Sequence, residues 1–204
     1  MAQSSDSPSG TPAKPSNFNL PNAITVVRIL LAPVFFWMLL ADGGQDGPLR
    51  YGAAILFIVA IGTDGIDGYI ARRYNLVTDL GKLLDPIADK VLTGAALIGL
   101  SILGELWWWV TIVILVRELG ITVYRFIVLR DRVVPASRGG KLKTLVQSFA
   151  ISFALLPLWV PLGDWVFWFN WALMAAALVI TVWTGIDYLV QAARSGRRNP
   201  KPGA

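Results

Sequence analysis

Six stretches of this sequence, near residues 22–41, 51–73, 82–103, 107–129, 143–162 and 165–192, are mostly apolar and separated by short connections. An α-helix of about 20 such residues is long enough to cross the hydrocarbon core of a bilayer. In lipid only helices and closed barrels satisfy their own backbone polar groups. The pattern therefore predicts an all-α integral membrane protein of about six transmembrane helices with both termini on one side. Composition agrees: 55% of the 204 residues are hydrophobic and 15% are charged, whereas a soluble domain carries about a quarter charged residues. Residues 1–18 are rich in Ser, Pro and Gly and read as a disordered tail. Their apolar continuation starts too late for a signal peptide. A membrane domain over 19–193 and a basic tail over 194–204 complete the organisation.

Basic residues choose the orientation. Arg72, Arg73 and Lys82 follow the second stretch, and Arg130, Arg132, Arg138, Lys141 and Lys143 follow the fourth. Arg194, Arg197, Arg198 and Lys201 follow the last. The opposite connections hold Arg50 beside Asp42, Asp46, Glu105 and Asp164. Cytoplasmic loops carry the Lys and Arg excess, so the basic loops and both termini are predicted to be cytoplasmic. Trp107, Trp108, Trp109, Trp165, Trp168 and Trp171 cluster near the predicted outer boundaries, as an aromatic belt requires. The formal charge of +5 is thereby a topology signal, and no nucleic acid is expected as a partner.

The chain has no Cys and no His. Thiol nucleophiles, imidazole bases and the usual zinc ligands are excluded, so any metal must sit among oxygens, as Mg²⁺, Mn²⁺ and Ca²⁺ do. Charged residues inside spans are costly and mark function, and they concentrate at Asp64, Asp67, Asp85, Asp89 and Lys90. At about 100° per residue, Asp64, Asp67, Gly68, Ala71 and Arg72 share one helix face, and Gly81, Asp85 and Asp89 share another. On antiparallel helices joined near 74–80, Asp64 and Asp89 each stand about 12 Å from the loop end. Four carboxylates can thus meet near one membrane surface. Uncompensated, they repel; a pair of divalent cations would neutralise them and suits in-line attack at phosphorus. Gly62, Gly65 and Gly68 leave the backbone open to close approach, and Pro86 frees a carbonyl one turn earlier. The competing reading makes these aspartates structural ion pairs with Arg or Lys, or the lining of a cation path.

The run from Asp64 through Asp67, Gly68, Ala71, Arg72, Gly81 and Asp85 to Asp89 matches without a gap the D-x2-D-G-x2-A-R-x8-G-x3-D-x3-D motif. On it the chain resembles the CDP-alcohol phosphotransferase family. Pro21, Asn22, Thr25 and Arg28 also look like that family's first-helix segment. The resemblance implies six spans, a site near the cytoplasmic face, Mg²⁺ or Mn²⁺, and a homodimer. By motif position, Asp64, Asp67 and Asp85 resemble the metal ligands. Asp89 resembles the residue that contacts a second metal and takes the proton from the attacking hydroxyl. Gly68, Ala71 and Arg72 match positions near the cytidine and pyrophosphate, with Thr78, Asn22 and Thr25 as further candidates for the donor, CDP-diacylglycerol. Arg72 can pair bidentately with a phosphate; otherwise it is a topological anchor.

Downstream residues should choose the acceptor alcohol. Arg117 and Glu118 lie within the fourth stretch, and Arg125, eight residues on, shares roughly one face with Arg117. Arg117-Glu118 and the run from Gly140 through Lys141 and Lys143 to Thr144 resemble the phosphatidylglycerophosphate synthase branch. There the acceptor is sn-glycerol 3-phosphate, whose dianion Arg117, Arg125, Lys141 and Lys143 could neutralise. Otherwise Arg117 is a buried ion pair with Glu118 or another helix. The expected chemistry is transfer of a phosphatidyl group in a bacterial inner membrane. Inositol phosphate, or phosphatidylglycerol to give cardiolipin, are alternative acceptors. A cation transporter is the alternative from another class; it would show internal repeats and a broken helix at mid-membrane, and no convincing repeat is visible.

Overall fold

The computed structural model describes residues 16–128 and 138–197; the side chains of residues 125–128, 138–141 and 192–197 lie outside the description. Among the described residues there are helices and no strand. They are α1 (Leu20–Asp42), α2 (Pro48–Arg73), α3 (Asp79–Ile102), α4 (Trp108–Val128), α5 (Arg138–Leu155), the single turn α6 (Trp159–Leu162) and α7 (Trp165–Arg197). Of the expected tails over 1–18 and 194–204, residues 1–15 and 198–204 fall outside the described residues, whereas 194–197 belong to α7.

Local chemistry sets the helix ends. The Asn19 side chain accepts from the Asn22 N–H and caps α1, with Pro21 in the first turn. Gly43 ends that helix in the left-handed region at φ 61°, where a residue without Cβ is unstrained. Thr78 caps α3 by accepting from Gly81 N–H at 3.0 Å. One expected helix is wrong. The stretch over 143–162 is not continuous: α5 stops at Leu155, because Pro157 has no N–H for the helical ladder. The chain then makes the single turn α6, and Gly163 at φ 89° redirects it into α7.

Arg50 departs from its expected place as a loop charge. It is fully buried, donates to the carbonyls of Leu155 at 2.8 Å and Ala154 at 3.0 Å, and pairs with Glu105. Its guanidinium also lies 5.9 Å from the centre of the Trp159 ring. Arg50 therefore supplies the donors that the end of α5 lacks.

Helix α1 packs against both α2 and α3, which touch each other little, while α7 packs on α4 and α5. One apolar core joins the two groups through Phe35 and Leu39 of α1, Phe57 of α2, Leu97 of α3, Ile114 of α4 and Ile151 of α5. Two glycines of α3 permit close packing within the chain. A Cβ on Gly99 would stand 2.6 Å from Leu39 Cδ2, and one on Gly94 would stand 3.5 Å from Leu115 Cδ2.

Many large apolar side chains face outward. Trp37, Val116, Trp168, Val179 and Trp183 are each more than 60% exposed. A water-soluble monomer rarely exposes so much contiguous apolar surface, so this exterior is a lipid-facing one. Among the described residues, three helices suffice by length and composition to cross a bilayer: Leu20–Asp42, Pro48–Arg73 and Trp165–Gln191. The apolar part of α5, Leu142–Leu155, is shorter, and α3 and α4 carry ionic residues.

Candidate active site

The site begins on α1. Asn22, Thr25 and Arg28 recur every three residues, share one helix face and are all buried. This face enters between α2 and α3. The Arg28 guanidinium forks, Nη1 lying 2.5 Å from Asp64 Oδ1 and Nη2 2.5 Å from Asp67 Oδ2. Thr25 Oγ1 lies 2.9 Å from Asp85 Oδ1 on α3. Asn22 Nδ2 donates to Thr78 Oγ1 and to the Asn17 carbonyl, both at 2.8 Å. Asn19 adds a tether from the other side, donating to the Leu76 carbonyl at 2.9 Å.

These contacts wall a cavity of about 270 Å³ lined by Pro21, Asn22, Asp67, Gly68, Ala71, Arg72, Thr78, Gly81 and Asp85, with Leu76, Val77 and Lys82. Two glycines shape it. A Cβ on Gly68 would come 3.3 Å from Arg72 Nη1, and one on Gly81 would come 2.6 Å from Asn22 Oδ1. Gly62 and Gly65, by contrast, face open space.

A second polar cluster lies on the other side of Asp89. Lys90 Nζ is 2.7 Å from Asp89 Oδ2 and 2.6 Å from Glu118 Oε2. The buried Glu118 carboxylate also receives Lys143 Nζ at 2.5 Å and Arg117 Nη1 at 2.9 Å on its other oxygen. Arg117 Nη2 continues to Thr184 Oγ1 of α7 at 2.9 Å. Its stem fits because residue 185 is Gly: a Cβ there would stand 3.1 Å from Arg117 Cγ. Three cations from α3, α4 and α5 thus converge on one carboxylate. Breaking up such a buried group is costly, because each stripped charge stays desolvated.

Of the residues singled out by sequence, Asn22, Gly68, Ala71, Arg72, Thr78, Asp67 and Asp85 share the cavity wall, and Thr25 touches it through Asp85. Asp64, half exposed, is joined to Asp67 through Arg28. Asp89 faces the cation cluster through Lys90. Arg117 and Lys143 meet at Glu118, whereas Arg125 and Lys141 occupy α4 and α5 at positions whose side chains fall outside the description.

Sequence reasoning missed the forked pairing of Arg28 and the joint made by Lys90. The signal for the first was present, a polar residue every third position on an otherwise apolar helix. Asp187, the acidic residue within α7, accepts from Gln191 Nε2 at 2.8 Å on an exposed face.

The donor set bears on metal binding. Asp64, Asp67, Asp85 and Asp89 offer only oxygen, which suits a hard divalent cation such as Mg²⁺ or Mn²⁺. Among the described residues no three acidic side chains gather into one cage; Arg28 lies between Asp64 and Asp67, Asp85 meets Thr25 and Asp89 meets Lys90.

Comparison with known proteins places the chain. It is 49% identical over 176 residues, 86% of its own length and 82% of the relative's, to a protein of Mycobacterium tuberculosis named probable phosphatidylglycerophosphate synthase. It is 46% identical, over 68% of its length and 77% of the relative's, to the CDP-diacylglycerol–glycerol-3-phosphate 3-phosphatidyltransferase of Bacillus subtilis. With the Shigella flexneri protein of the same name it shares 36% identity, over 87% of its length and 96% of the relative's. The sequence model described as CDP-alcohol phosphatidyltransferase matches residues 18–183. Together with the cavity built on the aspartate motif, this shows that the chain belongs to the CDP-alcohol phosphatidyltransferase family of enzymes.

Proposed function

We propose that this enzyme transfers the phosphatidyl group of CDP-diacylglycerol to sn-glycerol 3-phosphate, giving phosphatidylglycerol phosphate and CMP in a metal-dependent reaction. The observation that carries this reading is the adjacency of two sites. Asp85, in the wall of the cavity with Asp67 and Arg72, stands one helical turn before Asp89 on α3, and Asp89 pairs with Lys90 of the three-cation cluster. The names of the relatives support the same acceptor.

Asp64, Asp67, Asp85 and Asp89 would hold Mg²⁺ or Mn²⁺, two ions in all, whose positive charge offsets that of the donor's pyrophosphate. Asn22, Thr25, Gly68, Ala71 and Thr78 bound the nucleotide end of the donor. Arg72 pairs with phosphate oxygens. Asp89 takes the proton of the acceptor's primary hydroxyl. The freed oxygen forms a bond to the phosphorus bearing diacylglycerol, the bond from that phosphorus to the bridging oxygen breaks, and CMP departs with the bridging oxygen. Lys90, Arg117 and Lys143, joined by Arg125 and Lys141, balance the acceptor's phosphate.

In this reading the chain crosses a bacterial inner membrane six times. Helices α1 to α4 and α7 each cross once, and α5 with α6 supplies the remaining crossing. The basic connections and both termini are cytoplasmic, the site opens there, and two copies form a homodimer. The direct test is CMP release from CDP-diacylglycerol with glycerol 3-phosphate, inositol phosphate or phosphatidylglycerol as acceptor, with and without EDTA. Release with glycerol 3-phosphate alone, abolished by EDTA and restored by Mg²⁺ or Mn²⁺, is the expected result. Undiminished release in metal-free buffer, or preference for another acceptor, refutes it.

A further inference from the structure

Two polar atoms beside the Glu118 cluster have no hydrogen-bond partner although they are buried: Arg117 Nε, a donor, and Gln147 Oε1, an acceptor. Gln147 is 4% exposed. It lies on α5 one turn after Lys143, on the same face. Helical side chains lean toward the N-terminal end of their helix, so the Gln147 amide leans back toward Lys143. The ammonium of Lys143 and the guanidinium of Arg117 meet on one oxygen of Glu118, so the Gln147 amide lies one turn along α5 from a member of the cation cluster, while a Cβ on Gly185 of α7 would stand 3.5 Å from Arg117 Nε. A buried acceptor left unpaired carries a desolvation penalty, and a ligand hydroxyl that donates to Gln147 Oε1 relieves it.

We propose that Gln147 is a specificity-determining residue that receives the secondary hydroxyl of a glycerol phosphate acceptor through its buried amide. The cluster formed by Lys90, Arg117 and Lys143 recognises a phosphate but makes no distinction among alcohols that carry one. A hydroxyl-sized polar contact at Gln147 makes that distinction, because an acceptor lacking the hydroxyl leaves the amide unpaired. The inference rests on the acceptor reading above.

The test uses 3-hydroxypropyl phosphate, which keeps the reacting primary hydroxyl and the phosphate and lacks only the middle hydroxyl. CMP release from CDP-diacylglycerol gives kcat/KM for this compound and for glycerol 3-phosphate with wild-type enzyme, Gln147→Leu and Gln147→Met. The ratio of the two values is independent of how much of each preparation is active, so partial misfolding does not distort it. Wild type is expected to favour glycerol 3-phosphate by about 10- to 100-fold, and both variants should bring the ratio to within about threefold of unity by losing rate with glycerol 3-phosphate. Equal use of both acceptors by wild type overturns the proposal. So does a variant that keeps the full preference, as an amide satisfied by water alone predicts, and so does loss of all turnover in both variants, which makes the amide a requirement of the fold. No CMP release with glycerol 3-phosphate by wild type is a different result, and refutes the acceptor assignment itself.

Discussion

Replacing Gly81 by Ala tests the architecture of the cavity beside the aspartate motif at one atom. The new methyl carbon would stand 2.6 Å from Asn22 Oδ1 and 3.3 Å from Thr78 Oγ1. Ordinary contact begins near 3.4 Å, so the Asn22 amide must retreat by about 0.8 Å. That amide is buried and held at 2.8 Å by both Thr78 Oγ1 and the Asn17 carbonyl, so a shift of this size stretches at least one of the two bonds past useful length. The cost combines overpacking with a weakened buried hydrogen bond, about 1–3 kcal/mol. It falls on the wall that would face the donor. Titrating CDP-diacylglycerol in mixed micelles and measuring CMP release should show kcat/KM reduced by about 10- to 100-fold. With Asn22→Ala already present there is no amide to displace, and Gly81→Ala should cost no more than about a further twofold. A single variant within twofold of wild type, or full additivity in the double variant, refutes the steric argument.

Asp89→Asn should reduce CMP release by at least about a hundredfold without changing the thermal midpoint in detergent; substantial retained turnover removes Asp89 as the base. Glu118→Ala strands three cations and should cost about 3 kcal/mol of stability, and Glu118→Gln, which keeps one acceptor oxygen, should cost less, an order that thermal denaturation reads directly. Arg50→Met leaves Glu105 without its partner and the Ala154 and Leu155 carbonyls without donors, so a loss of about 3 kcal/mol is expected, with kcat per folded molecule unchanged. Asp187→Ala should move neither activity nor stability by more than about 0.5 kcal/mol, since its partner is an exposed amide.

The helices and the faces of α2 and α3 were legible because apolar length and a period of 3.6 residues are local properties. The cavity residues were legible because the motif fixes them at helical spacing. Pairing was not legible. Spacing places Asp64 and Asp67 on one face, but only the packed position of α1 brings Arg28 between them, so the compensating cation comes from a third helix. Lys90 looked like one more charge beside Asp89, and its role emerges only when α4 delivers Glu118. Arg50 appeared to be a loop charge because its partners, Glu105 and the end of α5, lie 55 and 105 residues away in sequence. The break before α6 has its signal in Pro157, which hydropathy alone does not register.

The short segment from Ser16 to Asn22 is stitched to its surroundings by side-chain amides. Asn19 donates to the Ser16 and Leu76 carbonyls, and Asn22 reaches both Asn17 and Thr78. A fusion partner or protease site introduced within this stretch would therefore damage the cavity wall at Asn22 and Thr78 while leaving the bundle intact. An affinity handle belongs upstream of Ser16, and preparations clipped between Ser16 and Asn22 should be well folded yet inert.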